Sequence, residues 1–263
     1  MKLHIACIQM DIQFGHPEEN YKHVEIKVKE ACEVQPYPDI IVLPEMWTTG
    51  YDLENLSSTA DVKGEKTIEF LKNLAKKYQV HIVGGSVATK RDKEYFNTMI
   101  SVDKNGELLQ EYHKMHLFKL MDEHKFLSAG EEKGSFNING EKVAGMICYD
   151  IRFPEWFRAH TLNGTKAIFV VAEWPKPRVD HWQTLLRARA IENQCYVIAC
   201  NRVGQDPNNR FAGHSMIIDP WGEVLKSGTE EEEIVTATID LSEVDRVRKT
   251  IPVFDDRKPE FYT

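Results

Sequence analysis

The sequence predicts a mixed α/β fold, with two hairpin-rich sheet regions and helices on the outside. Three observations carry this expectation. Apolar runs of strand length alternate with amphipathic helical stretches between residues 3 and 87, the same rhythm returns after residue 154, and two Asn-Gly dipeptides lie between apolar runs as hairpin turns.

Leu3 to Ile8 reads as the first strand and Pro17 to Val34 as a helix, whose Tyr21, Val24, Val28, Ala31 and Cys32 recur near the helical period. Ile40 to Leu43 is an uninterrupted apolar run stopped by Pro44, hence a buried strand with Glu45 just past its end. A second helix covers Glu65 to Tyr78, with Ile68, Leu71, Leu74, Ala75 and Tyr78 inward, and the strand Val80 to Val87 follows. Asn97 to Val102 and Glu107 to His113 flank Lys104-Asn105-Gly106, while Phe136 to Ile138 and Lys142 to Cys148 flank Asn139-Gly140; both read as hairpins. Pro154 opens a helix that Gly164 stops, and Lys166 to Ala172 is the next buried strand. Asp180 reads as the N-cap of a helix to Gln194, followed by the strand Cys195 to Cys200. Met216 to Ile218 and Ile234 to Ile239 flank a turn at Pro220-Trp221-Gly222, and the acidic run Glu230 to Glu233 reads as a solvated turn.

With 263 residues, no internal repeat and no Pro/Gly/Ser linker, the chain is expected to be one domain, 1–263. A net charge of −8 argues against a broad basic surface for nucleic acid or anionic lipid, while leaving room for one cationic pocket. The longest apolar stretches, such as Ala167 to Ala172, are too short for a membrane span, and the N-terminus lacks a signal-peptide core, so a cytoplasmic location is expected. Five scattered cysteines without a CxxC pair make a disulfide framework or a structural zinc an unsuitable reading. Cys7, Cys32, Cys195 and Cys200 read as small core hydrophobes.

Cys148 differs, because it ends an apolar run and is followed at once by Tyr149-Asp150-Ile151-Arg152-Phe153-Pro154. Glu45 after one strand, Lys114 at the end of another and Cys148 at the end of a third occupy similar places, and strand ends in α/β sheets commonly face the ligand crevice. Singly, each has a plain reading: a turn carboxylate, a surface cation, a core thiol. Together they form a nucleophilic set, since a thiol of ordinary pKa needs a base and a nearby cation to attack at neutral pH. His113 and His116 would lie on opposite faces of a strand and have no acidic partner motif, so no metal is expected. Gly84-Gly85-Ser86 fits neither a dinucleotide nor a P-loop pattern, so no nucleotide cofactor is expected either.

The chain resembles the nitrilase, or carbon–nitrogen hydrolase, superfamily over essentially its whole length. The resemblance rests on Leu43-Pro44-Glu45-Met46, on Tyr112-His113-Lys114-Met115-His116-Leu117-Phe118 and on Gly145 to Glu155 around Cys148. Arg187 to Asn193 and Asn201-Arg202-Val203-Gly204 extend it, and Met121 to His124, Trp174 to Arg178 and His181-Trp182-Gln183 are similar to the bacterial ω-amidases, which act on short 2-oxo acid amides such as 2-oxoglutaramate. The resemblance implies a four-layer α-β-β-α sandwich. It also implies Glu45 as general base, Cys148 as nucleophile, Lys114 with the Tyr149 backbone N–H as oxyanion stabilisers, and Glu123 as a second glutamate that positions substrate or Lys114. The reaction would release ammonia and pass through a thioester, without a cofactor.

An ω-amide of a dicarboxylic 2-oxo acid brings a carboxylate that needs a cation. Arg152 is the first candidate, with a salt bridge to Asp150 or Glu155 as its plain alternative, and Arg178 is the second. Trp174 and Tyr51 are candidate pocket walls. Members of the superfamily commonly pair through helices beside the active site. The helix after Cys148, the segment Asp180 to Gln194 and the C-terminal segment 241–263 are therefore expected at a homodimer interface. Deaminated-glutathione amidase, carbamoylase and nitrilase are the alternatives within the superfamily. An inactive scaffold or binding protein is the alternative outside enzyme chemistry, but it would require a missing catalytic residue.

Overall fold

The computed structural model describes residues 1–262. In chain order the strands are β1 (Lys2–Gln9), β2 (Ile40–Val42), β3 (Asp61–Val62), β4 (His81–Arg91), β5 (Glu94–Val102), β6 (Leu108–His113), β7 (Ser135–Ile138), β8 (Glu141–Ile147), β9 (Ala167–Ala172), β10 (Tyr196–Asn201), β11 (Met216–Ile218), β12 (Val224–Ser227) and β13 (Glu233–Asp240). The helices are α1 (Pro17–Ala31), α2 (Leu56–Thr59), α3 (Glu65–Tyr78), α4 (Glu123–Phe126), α5 (Pro154–Thr161), α6 (Val179–Asn193) and α7 (Ser242–Thr250).

The strands form two sheets, one in the order β13-β1-β2-β4-β5-β6 with β3 added beside β4, the other in the order β12-β11-β10-β9-β8-β7. Strands β1, β2 and β4 are parallel, as are β8, β9 and β10, which is the pairing that helical crossovers permit. Their uninterrupted apolar character follows from burial on both faces. On β1, Ile5 and Cys7 enter the core that also holds Val143, Val170 and Ile198 of the other sheet. Ala6 and Ile8, one residue out of phase, pack with Val24 and Val28 of α1 and Leu71 and Leu74 of α3. On the far side, α6, with Trp182, Leu186 and Ala190 buried, covers β10 and β11, and α5 lies beside it. The layers therefore run α-β-β-α, as the family resemblance implies.

Several sequence expectations need correction. Helix α1 ends at Ala31 rather than Val34, before the exposed Val34. Asp180 does not cap α6: the helix begins at Val179 from a 3-10 turn, Lys176–Arg178, and Asp180 lies exposed in its first turn. The turn at Pro220-Trp221-Gly222 joins β11 to β12, not to the Ile234 strand. That strand, β13, crosses to the other sheet and pairs antiparallel with β1 along its whole length. The acidic run is exposed at Glu230 to Glu232 but not simply solvated: Glu230 pairs with Lys176, and Glu232 with His23 and Lys27.

The antiparallel excursion through β5 returns β6 to the direction of β4. The carboxyl ends of β2, β6, β8, β9 and β10 are followed directly by Leu43 to Glu45, Lys114, Cys148, Glu173 and Arg202, which meet in one polar region between the sheets. Among the described residues no helix is long and apolar enough to cross a membrane, and no His/Cys/Asp/Glu group is arranged to hold a metal ion.

Candidate active site

Glu45 sits on a loop that β4 holds from below. The β4 ladder shifts register between Val83 and Ser86, and there Ser86 N–H donates to Pro44 O at 3.1 Å. The Met46 N–H donates to Ser86 Oγ at 3.0 Å and the Trp47 indole donates to Gly84 O at 2.7 Å. Gly85 has φ +63°, and a Cβ there would stand 2.0 Å from Pro44 O. The glycine pair that matches no phosphate motif is thus the seat of the Glu45 loop. Glu45 itself is fully buried. Its Oε1 accepts from Tyr51 OH at 2.7 Å, Asn97 Nδ2 at 2.8 Å and Lys114 Nζ at 2.9 Å, while Oε2 accepts from the Glu173 backbone N–H at 2.8 Å. Oε1 is crowded with donors; Oε2 is the oxygen with room for another proton.

Lys114 is fixed at the end of β6 by its own backbone, whose N–H donates to Asn97 O and whose carbonyl accepts from Gly130 N–H. Its ammonium is fully buried and lies 2.6 Å from Glu123 Oε1 and 2.9 Å from Glu45 Oε1. Burial works against its charge, but Glu123 and Glu45 outweigh it and hold the pKa above the ordinary lysine value. Two of its three N–H groups serve the carboxylates. The third reaches the Tyr51 oxygen only at 3.3 Å, so it is available to a developing oxyanion. Glu123, at the start of α4, also accepts the Phe118 N–H on Oε2 at 2.5 Å. Burial raises the Glu123 carboxyl and Lys114 opposes the rise. Tyr51 OH has one proton between Glu45 and Glu123, at 2.7 and 2.6 Å, and burial beside two carboxylates keeps it a phenol.

Cys148 occupies an elbow between β8 and α5, with φ +43°, a conformation that costs a non-glycine residue of order 1–3 kcal/mol and recurs where a nucleophile must be presented. Asp150 holds the elbow. Its Oδ2 accepts from Ile147 N–H at 2.9 Å and Tyr112 OH at 2.8 Å, and its Oδ1 contacts the His116 N–H at 3.1 Å and Nδ1 at 2.7 Å. The nucleophile's turn is thereby tied to the segment that carries Lys114. Burial, followed by the negative charge of Glu45, pushes the Cys148 thiol up, with Lys114 opposing. The thiol therefore rests in its protonated form, so the base must act during attack rather than before it.

The remaining sequence candidates divide. Tyr51 lies in the buried cluster, closer to the chemistry than a pocket wall. Tyr149 is half-buried against Phe118 and Phe153. Arg152 forms no salt bridge to Asp150 or Glu155: its guanidinium stands 4.8 Å from the Trp174 ring centre and 3.3 Å from His181 Nδ1. Trp174 packs on Trp182 and donates its indole N–H to the Arg178 carbonyl, while the Arg178 guanidinium lies over Phe118. Sequence reasoning missed Asn97, Glu173, Arg202 and the clamp at Asp150. Glu173 carried a usable signal, being a carboxylate directly after a buried apolar strand, like Glu45.

Comparison with known proteins adds to this geometry. The family model for carbon-nitrogen hydrolases matches residues 4–249. The chain belongs to the carbon–nitrogen hydrolase family. Within that family it is 55% identical over 262 residues to a 2-oxoglutaramate amidase of Bacillus subtilis, covering 100% of both chains. It is 35% identical over 256 residues to the omega-amidase YafV of Escherichia coli K12, covering 97% of this chain and 96% of that one. A carbon–nitrogen hydrolase superfamily protein of Xanthomonas campestris, whose structure carries an arsenic adduct in its active site, superposes with a TM-score of 0.91 at 31% identity over 98% of each chain. The fold is therefore nitrilase-like and the protein is an amidase-type carbon–nitrogen hydrolase.

Proposed function

We propose that this protein is an ω-amidase that hydrolyses the terminal amide of short 2-oxo acids such as 2-oxoglutaramate. The supporting observation is the meeting of Glu45, Lys114 and Cys148, from separate strand ends, with Glu123 from the start of α4, in a chain 55% identical to a 2-oxoglutaramate amidase. Glu45 Oε2 takes the thiol proton as Cys148 Sγ attacks the amide carbon. The third Lys114 N–H and the Tyr149 backbone N–H receive the oxyanion, where one placed donor is typically worth about 3–4 kcal/mol of barrier. The protonated Glu45 returns its proton to the departing nitrogen, ammonia leaves, and a thioester remains. Water deprotonated by Glu45 then attacks the thioester carbonyl, releasing the dicarboxylic acid and restoring the thiol. Glu123 and Tyr51 hold Lys114 against Glu45.

The substrate carboxylate is assigned to Arg152, which lies beside Trp174 and His181 and has no acidic partner among the described residues, with Arg178 as the second candidate. The test is ammonia release from 2-oxoglutaramate, deaminated glutathione, a carbamoyl compound and a short nitrile, with Cys148→Ala as control. Fastest turnover of 2-oxoglutaramate, lost in the control, supports the reading. Preference for another member moves the protein to that activity, and no ammonia from any of them favours a scaffold. We further propose a cytoplasmic homodimer that uses no metal or cofactor, joined through α5, α6 and 241–263, a reading supported by exposed Leu162, Ile191, Phe261 and Tyr262.

A further inference from the structure

Beneath Glu45 lies a buried carboxyl–guanidinium pair that touches no reacting atom. Glu173 follows β9 and Arg202 follows β10, and both are fully buried. Among the described residues the Glu173 backbone N–H is the one donor to Glu45 Oε2, the oxygen left with room for the thiol proton. Its side chain accepts from Arg202 at 3.0 Å through Oε2, while Oε1 has no hydrogen-bond partner among the described residues. Arg202 is anchored in turn: it donates to Asp11 Oδ1 at 2.7 Å, Ile12 O at 2.9 Å and Val203 O at 3.0 Å, and lies over the Phe211 ring. It also underlies the Glu45 loop, since a Cβ on Gly50 would meet its guanidinium at 3.7 Å.

We propose that Glu173 and Arg202 are the positioning residues of the general base, fixing the N–H that orients the proton-accepting oxygen of Glu45 toward Cys148. Without the pair the Glu173 N–H is no longer fixed and its hold on Oε2 slackens, while Asn97 and Lys114 still hold Oε1 from the β5 and β6 side. The carboxyl plane is then free to turn about that oxygen, and the thiol loses its aligned acceptor. Mere packing does not require this arrangement, because an apolar pair of similar volume would fill the same space without an unpartnered carboxyl oxygen.

This inference rests on the reading of Glu45 as the base, and the experiment separates the two. The measured quantity is the rate at which iodoacetamide alkylates Cys148, followed by mass spectrometry of its peptide well below the melting temperature. It is accompanied by kcat and KM for 2-oxoglutaramate. The variants are Glu45→Gln, Glu173→Gln, and the double replacement Glu173→Met with Arg202→Met, which leaves no orphan charge and so favours folding. Slow alkylation of Glu45→Gln upholds the base reading; alkylation at the wild-type rate overturns it and the present proposal with it. Given a slow Glu45→Gln, the double variant is expected to lose at least about tenfold in alkylation and in kcat with KM held, since misplacing a catalytic group by about 1 Å costs up to about a hundredfold. Glu173→Gln, which can still accept from Arg202, is expected within about threefold of wild type, well short of that misplacement cost. A folded double variant that alkylates at the wild-type rate, or a Glu173→Gln as impaired as the double variant, overturns the proposal.

Discussion

At the scale of single residues, the centre is an exercise in charge compensation. Lys114, Glu45 and Glu123 are buried together, and removing one partner of such a set typically costs about 3–5 kcal/mol because the others stay desolvated. Glu123→Ala is therefore expected to lower stability on that order as well as activity, measurable by urea denaturation. Glu173 gives a prediction of opposite sign. Burial, partly offset by Arg202, pushes its carboxyl up to about 8 from an ordinary 4.5. Below 4.5 both folded and unfolded forms carry the proton. Between 4.5 and 8 the unfolded chain releases it while the folded protein keeps it, so this group's contribution falls as pH rises and is fully lost above 8. Glu173→Gln escapes that loss, so its melting temperature relative to wild type should be higher at pH 8.5 than at pH 5, values chosen to bracket that window; equal differences at the two pH values would count against it. At the pocket mouth, Arg152→Ala is expected to raise KM for 2-oxoglutaramate much more than for a neutral short amide, and equal effects would refute a carboxylate role.

At the scale of elements, strands buried on both faces were legible as unbroken apolar runs, and the hairpin strands as segments flanking Asn-Gly turns. The ends of these strands also revealed Glu45, Lys114 and Cys148. What stayed hidden were partnerships between distant segments. Asn97 reaches Glu45 from within β5, and Asp150 joins the Cys148 elbow to Tyr112 and His116, pairings that no local period encodes. The strand β13 was recognised but assigned to the wrong neighbour, since a turn at Pro220-Trp221-Gly222 suggests the next strand in sequence, and the short exposed β12 carries no alternation. The seat of Glu45 offers a test at this scale. Gly85→Ala places a Cβ against Pro44 O at a positive φ, and is expected to cost about 1–3 kcal/mol of stability and to reduce kcat together with it. Thermal melts and steady-state kinetics on the same preparation would show both; a change in stability alone would separate the seat from the chemistry.

At the scale of the whole molecule, two sheets share one inter-sheet core and the reacting groups collect at one end of it. The C-terminal helix α7 is part of that body, with Val244 and Val247 buried and Arg248 donating to Thr165 O, whereas Phe261 and Tyr262 are exposed. If that exposed end meets a second copy, light scattering after size exclusion should give twice the 30.4 kDa chain mass at micromolar concentration, and a 30 kDa species would refute the dimer. The pairing of β1 with β13 has another consequence, which concerns time rather than geometry. Lys2 to Gln9 emerge during synthesis long before their partner, Glu233 to Asp240. Until then β1 presents an open apolar edge that only β2 can flank, and the first sheet cannot close. The nascent chain thus carries β1 with this edge unpaired until the segment of β13 has been made, and that edge is where association with other chains, or with a chaperone, would be concentrated.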